Sequence, residues 1–220
     1  MPTISVVFPV YLPSDEHRKM TDKNLSLAKN RAGGCNLEWV IVETGSDYYL
    51  NEADLYLHER VKTTSGSSIN RAFGLCTGDY VAYLSNDVTV CDDWVSKMLA
   101  CFDKPDCGIA SLGNNEHGDV LSDKIVESFY FSVAMLRKCD AWYTTEYKSN
   151  FLDTDLAFRL HLQGKKFYKN LSGLVYHKPH STVGKYSGDI ADYERCRQHF
   201  ADKYKEHASD PLYKKFAGVL

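Results

Sequence analysis

An α/β domain with a mostly parallel sheet flanked by helices is what this sequence predicts, and three observations carry that reading. Strand-like and helix-like patterns alternate at short intervals through the first half of the chain, which is the arrangement that builds parallel strands with helical crossovers. Gly78-Asp79 turns into the apolar run Tyr80-Val81-Ala82-Tyr83-Leu84, and that run ends on the polar Ser85-Asn86-Asp87. Open sheets of this class bind ligands at the carboxyl ends of their strands, so the polar end marks the candidate cleft. The third observation is size: 220 residues, 44% hydrophobic and 25% charged, suffice for one sizeable core and one domain.

In chain order, the pattern predicts strands near 4–10, 37–42, 61–64, 80–84 and 107–112. Helices are expected near 16–32, 51–59, 67–77 and 92–103. Gly33-Gly34 stops the first helix, and Asp92 is placed to cap the fourth. The stripe Trp94, Val95, Met98, Leu99, Phe102 has helical spacing and reads as core packing. Gly113-Asn114-Asn115-Glu116-His117-Gly118-Asp119 is a loop by composition. Beyond it, 129–135 reads as a strand, 153–163 as a helix ended by Gly164, and 167–177 as a short hairpin. Ile190, Tyr193, Phe200 and Tyr204 form the stripe of a C-terminal helix that covers the sheet.

The net charge of −3 gives no global argument for a nucleic acid or an anionic membrane as partner. Between Asp155 and Asp189 the chain has no acidic residue but carries Arg159, Lys165, Lys166, Lys169, Lys178 and Lys185. This stretch is either a solvated basic face or an electropositive rim for an anionic ligand. Seven scattered cysteines, with no C-x-x-C, argue against a disulfide framework or zinc site and for a reducing compartment. No run approaches the roughly 18 apolar residues of a membrane span, so a cytoplasmic protein is expected.

At the candidate cleft, Asp87 ends the polar segment and Arg71 is delivered by the helix that begins near Gly66. A carboxylate and an Arg feeding one cleft suit a divalent cation bridging a diphosphate, because hard cations take carboxylate and phosphate oxygens. Glu43 ends the second strand, where a carboxylate accepts from a base N–H or a ribose hydroxyl, or simply forms the turn before Gly45.

Six blocks in order resemble the family 2 glycosyltransferases of the GT-A fold. They are Ile4-Ser5-Val6-Val7-Phe8-Pro9-Val10-Tyr11, with a Pro-x-Tyr turn; Trp39 to Ser46; the Gly66, Arg71, Gly74 block; Ser85-Asn86-Asp87 before Asp93-Trp94; Asp153-Thr154-Asp155; and Val175-Tyr176-His177. The resemblance covers roughly residues 4–180. It implies an inverting transferase that moves a sugar from a nucleotide-diphosphate sugar, UDP-sugar favoured, to an acceptor hydroxyl with Mn2+ or Mg2+. It assigns metal to Asp87 and His177, the catalytic base to Asp153, and donor contacts to Pro9, Tyr11, Glu43, Gly66, Arg71 and Asn86. It also divides the chain into a nucleotide-sugar half at 1–105, an acceptor and catalytic half at 106–187, and a helical tail at 188–220. The acceptor is a glycan, a small molecule or modified DNA.

The chain departs from the family pattern at three places. Ser85 stands at the first position of D-x-D, Glu43-Thr44 replaces an acidic pair, and Leu152 stands where Glu is common. Ser85 and Leu152 support a second reading, a catalytically silent nucleotide-binding module. A third reading makes the acceptor a hydroxymethylated base in DNA and rests on the basic stretch. Asp155 has Arg159 four residues on, a helical ion pair that gives it a structural job, whereas Asp153 has no such partner and alternatively caps its helix. Arg71 has a surface alternative in Asp79.

Overall fold

The computed structural model describes residues 1–45, 53–59, 65–129, 132–138, 144, 146–147, 150–177 and 190–219. Its strands are β1 (Thr3–Val10), β2 (Asn36–Thr44), β3 (Leu55–Glu59), β4 (Tyr80–Leu84), β5 (Val88–Thr89), β6 (Cys107–Asn114), β7 (Ile125–Glu127), β8 (Val133–Arg137) and β9 (Lys166–His177). Its helices are α1 (Asp15–Asn30), α2 (Ser65–Leu75), α3 (Trp94–Leu99), α4 (Leu152–Leu162), α5 (Ile190–Lys203) and α6 (Pro211–Ala217). The sheet runs β3-β2-β1-β4-β8-β6-β9-β5, with β7 also on β9. The β3, β2, β1 and β4 strands are mutually parallel, as are β6 and β9, while antiparallel β8 joins the two groups.

Alternation along the central strands builds two apolar layers. Val6, Phe8, Trp39, Ile41, Ala82 and Leu84 face one side, with α1 and α3. Val7, Val40, Val42 and Val81 face the other, with α2, α4, α5 and α6. Successive residues of a strand point to opposite faces, so a strand covered on both sides reads as a continuous apolar run. Trp94, Val95 and Met98 are fully buried, as the stripe predicts, and the Trp94 indole N–H donates to Ala28 O at 2.9 Å, tying α3 to α1. On the opposite face, Phe158, Phe200 and Tyr204 pack at ring separations of 4.8–5.3 Å, which seats α5 on α4.

Several local expectations are corrected. Of the segment expected as a helix over 51–59, Leu55–Glu59 is the edge strand β3. Leu55 and Leu57 pack on one layer and Tyr56 on the other, a period of two that the leucines disguise. The expected hairpin is one strand, β9, whose ladder on β6 slips between Leu112 and Gly113. Asn170 Oδ1 accepts from Ser172 N at 3.0 Å, so the extra residues are absorbed in a bulge instead of a reversal. The residue preceding α3 is Asp93, in left-handed conformation at φ 55, and not Asp92. The later strand begins at Val133, and β5 and β7 are short additions. The expected strand at 61–64 lies outside the described residues. No helix among the described residues is long and apolar enough to cross a membrane.

Candidate active site at the carboxyl edge

The β4 strand delivers Ser85-Asn86-Asp87 to the carboxyl edge of the sheet, where Val88 N returns to Ser85 O at 3.2 Å and closes a turn. One side of the turn is fastened to α1. Asn86 Nδ2 donates to Thr21 Oγ1 at 2.9 Å, and Asn24 Nδ2 donates to Asn86 O at 2.9 Å. The Asn86 amide nitrogen is therefore held by the helix. Asp87 turns the other way and accepts from Ser85 Oγ at 2.6 Å. Ser85 thus has a use of its own: its hydroxyl orients the one carboxylate of this segment.

His177 reaches the same spot from the end of β9 because Val88 and His177 are register partners in the antiparallel β5/β9 pair. His177 Nε2 lies 3.5 Å from Asp87 Oδ2, and His177 Nδ1 lies 3.7 Å from Glu116 Oε2. The Asp87 contact raises the imidazole above its ordinary value; burial opposes it, and the charges of Asp87 and Glu116 add to it. Tyr83, on β4, joins the group through a hydrogen bond with Ser85. Burial pushes its hydroxyl well above the usual tyrosine range, and the negative charges of Asp87 and Asp153 push it further. Tyr83 and Glu116 went unmarked in the sequence: each matters only because separate elements converge.

The two acids at the start of α4 have separate environments. Asp155 is fully buried and accepts from Arg159 Nε at 2.8 Å, Lys203 Nζ at 2.9 Å and the Tyr204 hydroxyl at 2.9 Å. Asp153 is exposed, and its Oδ1 accepts from Thr154 N at 2.8 Å. The residue preceding the helix is Phe151, at φ 66, so Asp153 sits inside the first turn, where the helix dipole favours an anion.

Glu43, at the end of β2, is fully buried and accepts from the Tyr56 hydroxyl and from His58 Nδ1, the latter at 2.8 Å. Pro9 lies on β1 opposite Val42, and Val10 opposite Glu43; Tyr11 follows, half-buried, at the end of the strand. Arg71 Nη1 pairs with Glu59 Oε1 at 2.7 Å. It does not pair with Asp79, which sits at the amino end of β4 and accepts from Thr3 N at 2.9 Å. Gly66 packs directly on α4: a Cβ there would lie 2.8 Å from Leu152 Cδ2. Leu152, itself buried, is thus a packing partner for the α2 start, which accounts for an apolar residue at that position.

The basic stretch is largely paired. Besides Arg159, Lys166 lies within 3.5 Å of Asp106 and 3.7 Å of Glu127, and buried Lys169 donates to Asp119 at 2.7 Å. Lys178 and Lys185 lie outside the described residues.

Among the described residues, no group of three or more His, Cys, Asp or Glu side chains is arranged to enclose a metal. Asp87 and His177 nevertheless fit a divalent cation of the Mg2+ or Mn2+ kind. Such ions are held by one or two carboxylates with substrate phosphates and water completing the shell, not by all-protein cages. A carboxylate suits both ions, and an imidazole beside it is compatible with Mn2+.

The class of protein comes from comparison with known proteins. The family model described as glycosyl transferase family 2 matches residues 5–160. The chain belongs to glycosyl transferase family 2 and is a glycosyltransferase. Two solved structures of the GT-A fold superpose over nearly the whole chain. The mannosyltransferase PcManGT from Pyrobaculum calidifontis, in complex with GDP-Man and Mn2+, aligns with TM-score 0.72 at 16% identity, covering 99% of this chain and 68% of its own. TarS 1–349 from S. aureus, in complex with UDP-GlcNAc, aligns with TM-score 0.69 at 14% identity, covering 97% and 71%. No curated protein sequence matches the chain.

Proposed function

We propose that the chain transfers a sugar from a nucleotide-diphosphate sugar to an acceptor hydroxyl with inversion at the anomeric carbon, UDP-sugars being the favoured donors. The observation that carries this reading is the juxtaposition of Asp87 and His177, 3.5 Å apart, at the carboxyl edge. Asp87 and His177 would hold Mn2+ or Mg2+, and the ion, when bound, supplies positive charge to the leaving diphosphate. The GDP-Man and Mn2+ bound by PcManGT and the UDP-GlcNAc bound by TarS lend support.

Asp153 is the base of this reaction. It is exposed, whereas Asp155 is fully engaged by three donors. Its carboxylate takes the acceptor hydroxyl proton as the acceptor oxygen bonds to the anomeric carbon, and the bond to the diphosphate oxygen breaks with its electron pair leaving on the diphosphate. One in-line displacement converts an α-linked donor into a β-linked product. Pro9, Tyr11, Glu43, Gly66, Arg71 and Asn86 belong to the donor side, Gly66 through its close approach to α4 and Asn86 through fastening the Asp87 turn to α1. Residues 1–105 then form the donor half, 106–187 the acceptor half and 188–220 the covering tail.

Ser85 orients Asp87 and Leu152 packs on Gly66, so neither departure argues for a silent module. The experiment is donor hydrolysis and transfer, with Mn2+ present, across UDP-, GDP-, dTDP- and CDP-sugars. Turnover of at least one donor is expected; binding without any turnover would favour the silent module.

A further inference from the structure

We infer that His58, not Glu43, is the side chain that meets the donor's base, and that it selects bases carrying a ring N–H. This rests on the nucleotide-sugar reading above.

The parallel β2/β3 register sets Glu43 directly beside His58 at the carboxyl edge. Glu43 has no exposed surface, and its Oε2 takes hydrogen bonds from both the Tyr56 hydroxyl and His58 Nδ1. A carboxylate so enclosed reaches a ligand only by giving up its own neighbours. The His58 ring, by contrast, is 29% exposed. It lies nearly parallel to the Tyr56 ring, with 22° between planes and centroids 6.5 Å apart, so its orientation is fixed from two directions. His58 is the penultimate residue of β3, so its ring lies at the carboxyl end of that strand.

The chemistry follows from the tautomer. An ionised carboxylate only accepts, so the His58 nitrogen facing Glu43 carries the proton. In the neutral ring the other nitrogen, Nε2, is then an acceptor. Among the described residues, Nε2 has no hydrogen-bond partner. An acceptor fixed at this edge pairs with the ring N–H of uracil, thymine or guanine. It faces a lone pair on the equivalent ring nitrogen of cytosine or adenine, and that arrangement sets two acceptors against each other with no proton between them. Glu43 is a positioning residue in this account: it sets which nitrogen of His58 faces outward.

Calorimetric titration of UDP, GDP, CDP and ADP, each with Mn2+, into wild type, His58→Phe, Glu43→Gln and the double variant tests the inference. Phe retains the ring against Tyr56 while removing the acceptor. Wild type is expected to prefer UDP or GDP over CDP and ADP by about tenfold, the scale of one hydrogen bond plus the cost of leaving its partner unpaired. His58→Phe should erase that preference, and Glu43→Gln should weaken binding in wild type but add nothing to His58→Phe. His58→Phe with unchanged affinity and preference, or a full Glu43→Gln effect in the His58→Phe background, would overturn the inference alone. Failure of the wild type to bind any of the four would overturn the nucleotide-sugar reading along with it.

Discussion

Asp87, in the turn between β4 and β5, and His177, at the end of β9, lie in different halves of the chain and approach to 3.5 Å because the two-residue strand β5 pairs Val88 with His177. A carboxylate and an imidazole thereby share one face of the edge, and Glu116 stands on the far side of the ring at 3.7 Å. A metal-binding histidine ordinarily directs its second nitrogen to a carboxylate that fixes its orientation, and mutating such a partner costs about 10- to 100-fold in metal affinity. Accordingly, His177→Ala should remove most Mn2+ affinity, and Glu116→Gln should lower it by about tenfold, in competition with a metal indicator. A Glu116→Gln protein that binds Mn2+ like wild type would make the 3.7 Å contact incidental.

Asp153 and Asp155 separate chemistry from stability. Asp153→Asn should leave donor binding and melting temperature near wild type but lower transfer by about 10² to 10⁴, the usual scale for a lost general base. Asp155→Asn should cost about 2 kcal/mol or more, because it removes the charge that Arg159 and Lys203 share. Rates and denaturant midpoints measured on both variants decide the matter: full activity in the first with a well-folded but inactive second would move the base to Asp155.

Gly66 and Leu152 should behave as a coupled pair. Gly66→Ala pushes a methyl to 2.8 Å from Leu152 Cδ2 and close to Thr144 O at 3.3 Å, so a loss of about 1–3 kcal/mol from overpacking is expected. Leu152→Val, which shortens the opposing side chain, should recover part of it in the double variant. Strict additivity in unfolding measurements would show that the two do not press on each other.

The Lys169–Asp119 pair sets a pH dependence. Burial works against the Asp119 charge, but the Lys169 and Asn114 hydrogen bonds and the Lys169 charge prevail and hold the carboxyl below its ordinary value. The folded state therefore binds this proton less readily than the unfolded chain. Stability from the pair is complete above the unfolded pKa of about 3.9 and is lost as pH falls through the lower folded value. Asp119→Asn should remove that part of the acid dependence and cost about 3 kcal/mol at neutral pH, because Lys169, 3% exposed, loses its carboxylate partner. Urea midpoints from pH 3 to 7 are the measurement; parallel wild-type and variant curves would contradict it.

The sheet strands β1, β2, β4 and β6 were legible because burial on both faces leaves unbroken apolar runs. The β3 strand was not, since at the sheet edge its residues are only partly buried and Leu55, Tyr56 and Leu57 suit a helix equally well. The bulged β9 read as a hairpin because Ser172-Gly173 carries turn chemistry, and nothing local reveals that β6 continues on both sides of the irregularity. Asp87 could be singled out from its strand-end position and the Asp155–Arg159 pair from helical spacing, whereas the role given to Asp153 came from resemblance. His177 could be placed only by resemblance, because its contact with Asp87 depends on a pairing between distant segments. Tyr83, Glu116 and His58 acquire meaning only from neighbours brought by other elements, and no spacing within the chain encodes such a meeting.

Metal-dependent donor binding through Asp87 is the centre of this account, and calorimetry of the preferred nucleotide sugar with and without Mn2+ tests it most directly. Wild type should bind the donor more tightly when Mn2+ is present, and Asp87→Ala should bind it equally weakly in both conditions while remaining folded. An Asp87→Ala protein that binds donor and Mn2+ as wild type does would contradict the assignment.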